Sequence, residues 1–147
     1  MITTSIKETF FEVKLRVEKT TEDGTLAKFN ELYVVNAQSF TEAEAKSTEY
    51  ISQYTNGEFE VLTEARAKYG EIHFIDDEEE NAFWKVRLDF ITLDERTYKT
   101  KHSKCDVLVQ GSSVESVKKN IDEVLKDSMV DYKIVSVGET VIQDYIA

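Results

Sequence analysis

The residues in this chain that could do chemistry are cations, and they come in pairs two positions apart. Lys14 and Arg16 stand in Phe11-Glu12-Val13-Lys14-Leu15-Arg16-Val17, and Lys85 and Arg87 in Trp84-Lys85-Val86-Arg87-Leu88. A spacing of two along a strand puts both side chains on one face. Arg66 and Lys68 form a third such pair. Arg96, Lys99, Lys101, His102 and Lys104 then crowd a short stretch around Tyr98. Cations that track phosphates, with aromatic rings on which bases stack, are what single-stranded nucleic-acid binding requires. The plainer reading of the same pattern is the solvent-facing side of amphipathic strands, where Lys and Arg are common.

Other chemistry has little support. His73 and His102 lie in no motif with a serine or cysteine nucleophile. There is no phosphate loop and no dinucleotide glycine fingerprint. Acidic residues are plentiful, but no spacing singles out a catalytic pair. The run Asp76-Asp77-Glu78-Glu79-Glu80 lacks the alternating ligands, central glycine and distant glutamate of a calcium loop, so it reads as a solvated linker over 76–82. Cys105 is the single cysteine. That excludes a disulfide framework, and the thiol is expected to behave as a small buried hydrophobe. No enzyme activity, cofactor or metal is expected.

The net charge of −11 favours solubility and opposes non-specific binding of polyanions by the surface as a whole, while leaving room for a local basic face. The 147 residues suit one compact domain, or two half-size units sharing a core. The N-terminus lacks a basic start followed by an apolar core, and no apolar run approaches membrane-spanning length. An intracellular protein, in the cytoplasm, is expected. With no proline at all, turns fall to Gly, Asn and Asp.

The elements that must position the cations are strands. Trp84, Val86, Leu88 and Phe90 alternate with Lys85, Arg87 and Asp89, the period of a half-buried strand. At a spacing of 73, Phe11 meets Trp84, Val13 meets Val86, Lys14 meets Arg87 and Leu15 meets Leu88. The chain reads as a module written twice, with repeat one over 10–75 and repeat two over 83–146. Residues 1–9 read as a polar arm. Strands are predicted at Phe10–Lys19 and Lys28–Ala37, joined by an Asp23-Gly24 turn. Leu32 to Val35 is apolar on both faces, so that strand is covered on both sides or lies at an interface. Ser39 or Thr41 caps a helix that Asn56-Gly57 ends in a left-handed cap. Further extended chain breaks near Arg66–Lys68. In the second half, a strand over Trp84–Leu93 leads to a polar connection, Asp94–Lys104, and a strand at Cys105–Gln110. A helix over Val114–Asp127 follows, with Ser113 and Ser116 as cap candidates, and extended chain runs to the end. The fold class is α+β: two tandem β-β-α-β-β repeats in one pseudo-two-fold antiparallel-sheet domain with two helices.

Phe11-x-Val13-Lys14-Leu15-Arg16, Ala37-Gln38-Ser39-Phe40-Thr41-Glu42-Ala43-Glu44-Ala45, Arg66-Ala67-Lys68-Tyr69-Gly70-Glu71-Ile72 and Trp84-Lys85-Val86-Arg87-Leu88, followed by Phe90 to Glu95, resemble a family of small uncharacterised proteins of gut Bacteroidetes and crAss-like phages. The likeness covers nearly the whole chain. It implies single-stranded DNA binding of the Whirly or p15-coactivator type, in which paired sheet-plus-helix repeats lay nucleic acid across their sheets. The expected function is therefore a non-catalytic single-stranded DNA-binding protein of phage or mobile-element origin, acting in replication or recombination. Lys14, Arg16, Lys85 and Arg87 would contact phosphates, and Lys99, Lys101 and Lys104 would clamp from a mobile hairpin with Tyr98 stacking. A homo-oligomer is compatible with this. The alternative is a protein–protein adaptor or virion component, which the acidity and the two-sided strand at Leu32–Val35 would serve. A third reading is an acidic nucleic-acid mimic with a basic protein partner.

Overall fold

Alternation of buried and exposed positions is carried by long strands in a computed structural model that describes residues 3–147. The order is β1 (Thr3–Lys7), β2 (Phe10–Thr20), β3 (Leu26–Asn36), α1 (Phe40–Ser52), β4 (Phe59–Arg66), β5 (Glu71–Ile75), β6 (Ala82–Asp94), β7 (Lys99–Gly111), α2 (Val114–Val124), β8 (Asp131–Glu139) and β9 (Ile142–Ile146). The chain is α+β, with two helices and two mixed sheets, ordered β4-β2-β3-β9 and β1-β5-β7-β6-β8.

Two compact units divide the chain. The four-stranded unit holds Glu8–Lys68 and Val141–Ala147, and the five-stranded unit holds residues 3–7 and Tyr69–Thr140. The chain thus passes between units beside Lys7, Lys68 and Thr140, each time delivering a short strand to a sheet built mainly by another part of the sequence. The acidic run after Ile75 lies inside the five-stranded unit, where it joins β5 to β6.

In the four-stranded unit, Phe11, Val13, Leu15 and Val17 of β2 face α1 and form a core with Tyr33, Val35, Ala43, Ile51 and Ile146. Ser39 is the N-cap of α1, accepting from the Glu42 backbone N–H at 3.1 Å. In return, the Glu42 carboxylate accepts from the Gln38 N–H at 3.0 Å. The β2–β3 turn is closed by Thr21, Asp23 and Thr25, whose hydroxyl and backbone donors lower the Asp23 pKa to about 2. In the five-stranded unit, Trp84, Val86 and Leu88 face Val117 and Ile121 of α2. Ser113 caps that helix in a reciprocal box with Ser116.

Several expectations are corrected. The sheets are not antiparallel throughout: β9 runs parallel to β3, and β5 parallel to β7. Alternation along a strand carries no information about the direction of its neighbour. Residues 3–7, expected as an arm, form β1 and pair with β5 (residues 1 and 2 lie outside the described residues). The polar stretch after Asp94 is not a connection. β6 and β7 pair without interruption from Ala82↔Gly111 to Asp94↔Lys99, with a tight turn at its end. β8 accompanies β6 as far as Ile91, and β5 meets β7 at Leu108 and Val109. Beyond those limits the ribbon has water on both faces, so burial periodicity vanishes while the backbone ladder continues.

The left-handed cap at Gly57 is also absent, since α1 ends at Ser52 with Gln53 as C-cap. Gly57 serves close approach instead: a Cβ there would meet the Glu18 carbonyl oxygen at 2.9 Å. Gly111 is tighter still, because a Cβ would stand 2.4 Å from Cγ2 of Val117. Gly111→Ala is expected to cost about 1–3 kcal/mol through overpacking. Val117→Ala in the same chain should recover part of that loss, because the two sites share one contact. Urea midpoints of the two single variants and the double variant check this. Additive losses would mean that the clash relaxes elsewhere.

Candidate nucleic-acid interface

The face of β6 turned away from α2 carries Phe83, Lys85, Arg87 and Asp89. Cross-strand partners share a face, and the register places Leu108 opposite Lys85, Asp106 opposite Arg87 and Lys104 opposite Asp89 on β7. On β8 it places Gly138 opposite Lys85, Ser136 opposite Arg87 and Lys133 opposite Asp89. Phe83 and Leu108 are buried. Towards β8 the face opens into a groove of about 260 Å³ lined by Lys85, Arg87, Asp106, Ser136, Val137 and Gly138. The side chains of Lys85 and Arg87 are about half exposed, at 45% and 53%.

Two carboxylates lie on the same face, and Asp106 organises the two cations. Asp106, whose side chain is 8% exposed, accepts from Nε of Arg87 at 2.9 Å and from Nη2 at 3.4 Å. Its hydrogen bond and charge raise the Arg87 pKa above the ordinary value. Nζ of Lys85 lies 3.8 Å from the same carboxylate. Asp89, also buried, has Oδ2 2.7 Å from Nδ1 of His102. Its other oxygen, Oδ1, is buried without a hydrogen-bond partner among the described residues.

The sequence-predicted set is divided by this geometry. Lys85, Arg87 and Lys104 share a face of one sheet. Lys99 and Lys101 belong to the same ribbon, but their partners Asp94 and Thr92 set them on its other face, and Nζ of Lys101 lies 3.7 Å from Asp94. The ribbon is a paired two-stranded element rather than a loose loop. Tyr98 sits at its tip, 83% exposed, at a left-handed φ of 57° that non-glycine residues rarely adopt. Its N–H donates to the Asp94 carbonyl at 2.7 Å.

Lys14 and Arg16 lie in the four-stranded unit, on the face of β2 away from α1. Lys14 has Leu32 and Thr63 as cross-strand partners. Arg16 pairs with Glu60 at 3.3 Å. Arg66 is positioned over the rings of Phe11 and Phe40, at 5.2 and 5.6 Å from their centroids. Sequence reasoning missed Lys133 and Asp106. Their signal was parity within β8 and β7, which becomes readable once the register with β6 is known.

The remaining reactive side chains lie elsewhere. His73 is buried, with Nδ1 2.6 Å from the Ser5 hydroxyl, and burial lowers its pKa. Cys105 is exposed rather than buried, although partial desolvation, then Glu71 and Asp106, raise its thiol pKa. Among the described residues no group of three or more His, Cys, Asp or Glu is placed to hold a metal ion. Nor among them is any helix long and apolar enough to cross a membrane.

A tyrosine cluster on the α1 side of the four-stranded unit makes a separate prediction. Burial first, then Glu31, pushes Tyr33 up to about 12. Burial and the hydrogen bond to Asp122 push Tyr132 up to about 12 in the five-stranded unit. Tyr50 donates to Asp144 at 3.0 Å and is also raised. Absorbance at 295 nm should therefore show these phenols ionising later than the ordinary 10. The folded pKa exceeds the unfolded one, so the folded state holds more protons between the two values. The stabilisation is complete below the unfolded pKa and is lost as pH rises from about 10 through 12. A single titration step near the ordinary phenol value would contradict these placements.

A sheet with a helix on one side and a mixed-charge, cation-bearing groove on the other places the chain in the α+β class. The chain belongs to the family described as Domain of unknown function (DUF4494), whose model matches residues 9–147. No curated protein and no solved structure is found to match it.

Proposed function

We propose that this protein is a non-catalytic single-stranded nucleic-acid-binding protein, with DNA as its ligand. One observation carries the reading. Lys85, Arg87, Lys104 and Lys133 stand exposed on three adjacent strands, on one face of one sheet, and the ribbon that continues two of those strands ends in the exposed ring of Tyr98. Such a surface can track phosphates and stack a base without reading sequence. The resemblance to Whirly-type proteins supports it, and with it a phage or mobile-element origin and a role in replication or recombination in the cytoplasm of a bacterial host.

The same reading takes the two halves as one β-β-α-β-β unit written twice in a Whirly-like pseudo-two-fold arrangement. Its support is the coincidence of irregularities. The register with the flanking strand shifts between Lys14 and Leu15 in β2 and between Arg87 and Leu88 in β6, positions separated by the same spacing of 73.

The test is titration of a fluorescent single-stranded oligonucleotide, about 30 nucleotides long to cover several site sizes, at low and moderate salt. Salt-sensitive binding that is weaker for duplex is expected. No binding at low salt removes the proposal. A protein–protein adaptor is the second reading. It is favoured by β3, where Tyr33, Val34 and Val35 are buried while Leu26 and Phe29 are 65% and 44% exposed. Over that exposed stretch β9 no longer accompanies the strand. A stable higher oligomer by light scattering, without nucleic-acid affinity, would favour it.

A further inference from the structure

We infer that the two sheets are not equivalent towards nucleic acid, and that the phosphodiester seat is the groove between β6 and β8 of the five-stranded sheet. This rests on the binding function proposed above and narrows it to one of two similar surfaces.

Positions related by the spacing of 73 differ in charge between the two sheets. Lys85 corresponds to Glu12, Arg87 to Lys14 and Asp89 to Arg16. Following the register outward from β2 and β6, Ser136 corresponds to Thr63 and Lys133 to Glu60. Charge is therefore reversed at Lys85, Asp89 and Lys133 while the backbone plan is kept. The four-stranded sheet has its own groove, about 430 Å³, lined by Arg16 and Lys28 together with Glu18, Glu58 and Glu60. Arg16 is already engaged by Glu60. A phosphate entering there meets more carboxylates than cations, and like charge at contact distance repels it.

The groove between β6 and β8 differs in kind as well as in sign. Asp106 holds Nε and one hydrogen of Nη2 of Arg87, which fixes the guanidinium plane. Guanidinium carries five N–H donors, so the edge away from Asp106 can present a fork to phosphate oxygens. Asp106 thus positions Arg87 without occupying all of its donors. Lys85 lies only at the outer limit of contact with the same carboxylate, and Ser136 adds an exposed hydroxyl. At Gly138 a Cβ would meet nothing within 4 Å, so the space above the β8 backbone is open to a ligand.

The test measures anisotropy of labelled oligo-dT of about 30 nucleotides over a salt series, a length that spans several site sizes. The whole chain is used in five forms: unaltered, Lys85→Ala/Arg87→Ala, Lys14→Ala/Arg16→Ala, and the charge exchanges Lys85→Glu and Glu12→Lys made singly. Circular dichroism melts check that each replacement leaves the fold intact. The Lys85/Arg87 double variant should bind at least about tenfold more weakly at moderate salt. Its slope of log affinity against log salt should shrink by about 1.4, for two lost contacts to a single strand. The Lys14/Arg16 double variant should stay within about twofold with its slope unchanged. Lys85→Glu should weaken binding and Glu12→Lys should strengthen it. The inference is overturned if the Lys14/Arg16 variant weakens binding as much as the Lys85/Arg87 variant, or if the latter changes neither affinity nor slope. In both cases the unaltered chain still binds, and the proposed function stands. If the unaltered chain does not bind at the lowest salt, the function and the seat fall together.

Discussion

Removal of residues 141–147, which carry β9, is expected to abolish cooperative folding of the four-stranded unit. β9 is the last strand of the chain, and it completes a sheet whose other strands come from the first half. It pairs parallel with β3 at Leu32 to Val35. Ile146 belongs to the core formed by Phe11, Val13, Leu15 and Ile51, and Ile142 is likewise buried. Tyr145 packs edge-on to Phe10 at 6.2 Å, and Asp144 accepts from Tyr50. Truncating a buried isoleucine to alanine costs about 2–5 kcal/mol, and two are lost here. A small domain has only about 5–15 kcal/mol in total. The strip of β3 that holds Tyr33, Val34 and Val35 would also become an exposed apolar edge prone to pairing with other chains. Hydrogen exchange read by mass spectrometry on residues 1–140 should show amide protection lost through β2, β3 and β4. Unchanged protection in β3 would refute the role assigned to β9. Ile146→Ala alone should lower stability by about 2–5 kcal/mol.

Trp84→Ala should be the most damaging single side-chain truncation in the five-stranded unit, at about 3–5 kcal/mol. Trp84 is the one tryptophan of the chain and is 7% exposed. Its ring lies in the core with Val86, Leu88, Val109, Val117 and Ile121. Its Nε1 donates to the Gly111 carbonyl at 2.8 Å, tying the start of β6 to the end of β7 just before α2. Trp84→Phe separates the two contributions. It keeps an aromatic ring but leaves the Gly111 carbonyl without that donor, a cost of about 1–3 kcal/mol. Urea unfolding must be followed by circular dichroism, since both variants lose the tryptophan signal. Equal losses in the two variants would assign the whole effect to the hydrogen bond, and a neutral Trp84→Phe would assign it to packing.

Much of the local structure was determined by the sequence itself. Alternation from Phe11 to Val17 and from Trp84 to Phe90 is a backbone period, and the strands follow it. Ser39 and Ser113 cap their helices because a short side-chain oxygen satisfies donors within the next turn. Asp23-Gly24 turns the first hairpin for the same kind of local reason. The polarity of 94–104 misled, because exposure on both faces of a projecting ribbon erases the burial pattern without breaking the ladder.

What the tertiary structure alone decided is which distant segments meet. No local pattern tells that Ile142–Ile146 runs parallel to β3, that residues 3–7 join β5, or that β5 lies beside β7. Parallel neighbours need long connections, so their partners are remote in sequence. The character of the candidate site has the same origin. Lys85 and Arg87 were legible as an exposed pair. Their shared counter-ion Asp106, the neighbouring Lys133, and the turning of Lys99 and Lys101 to the opposite face all depend on register. Register is set by how two strands pack and turn together, and a shift of one residue would have moved each of these side chains to the other side of the sheet.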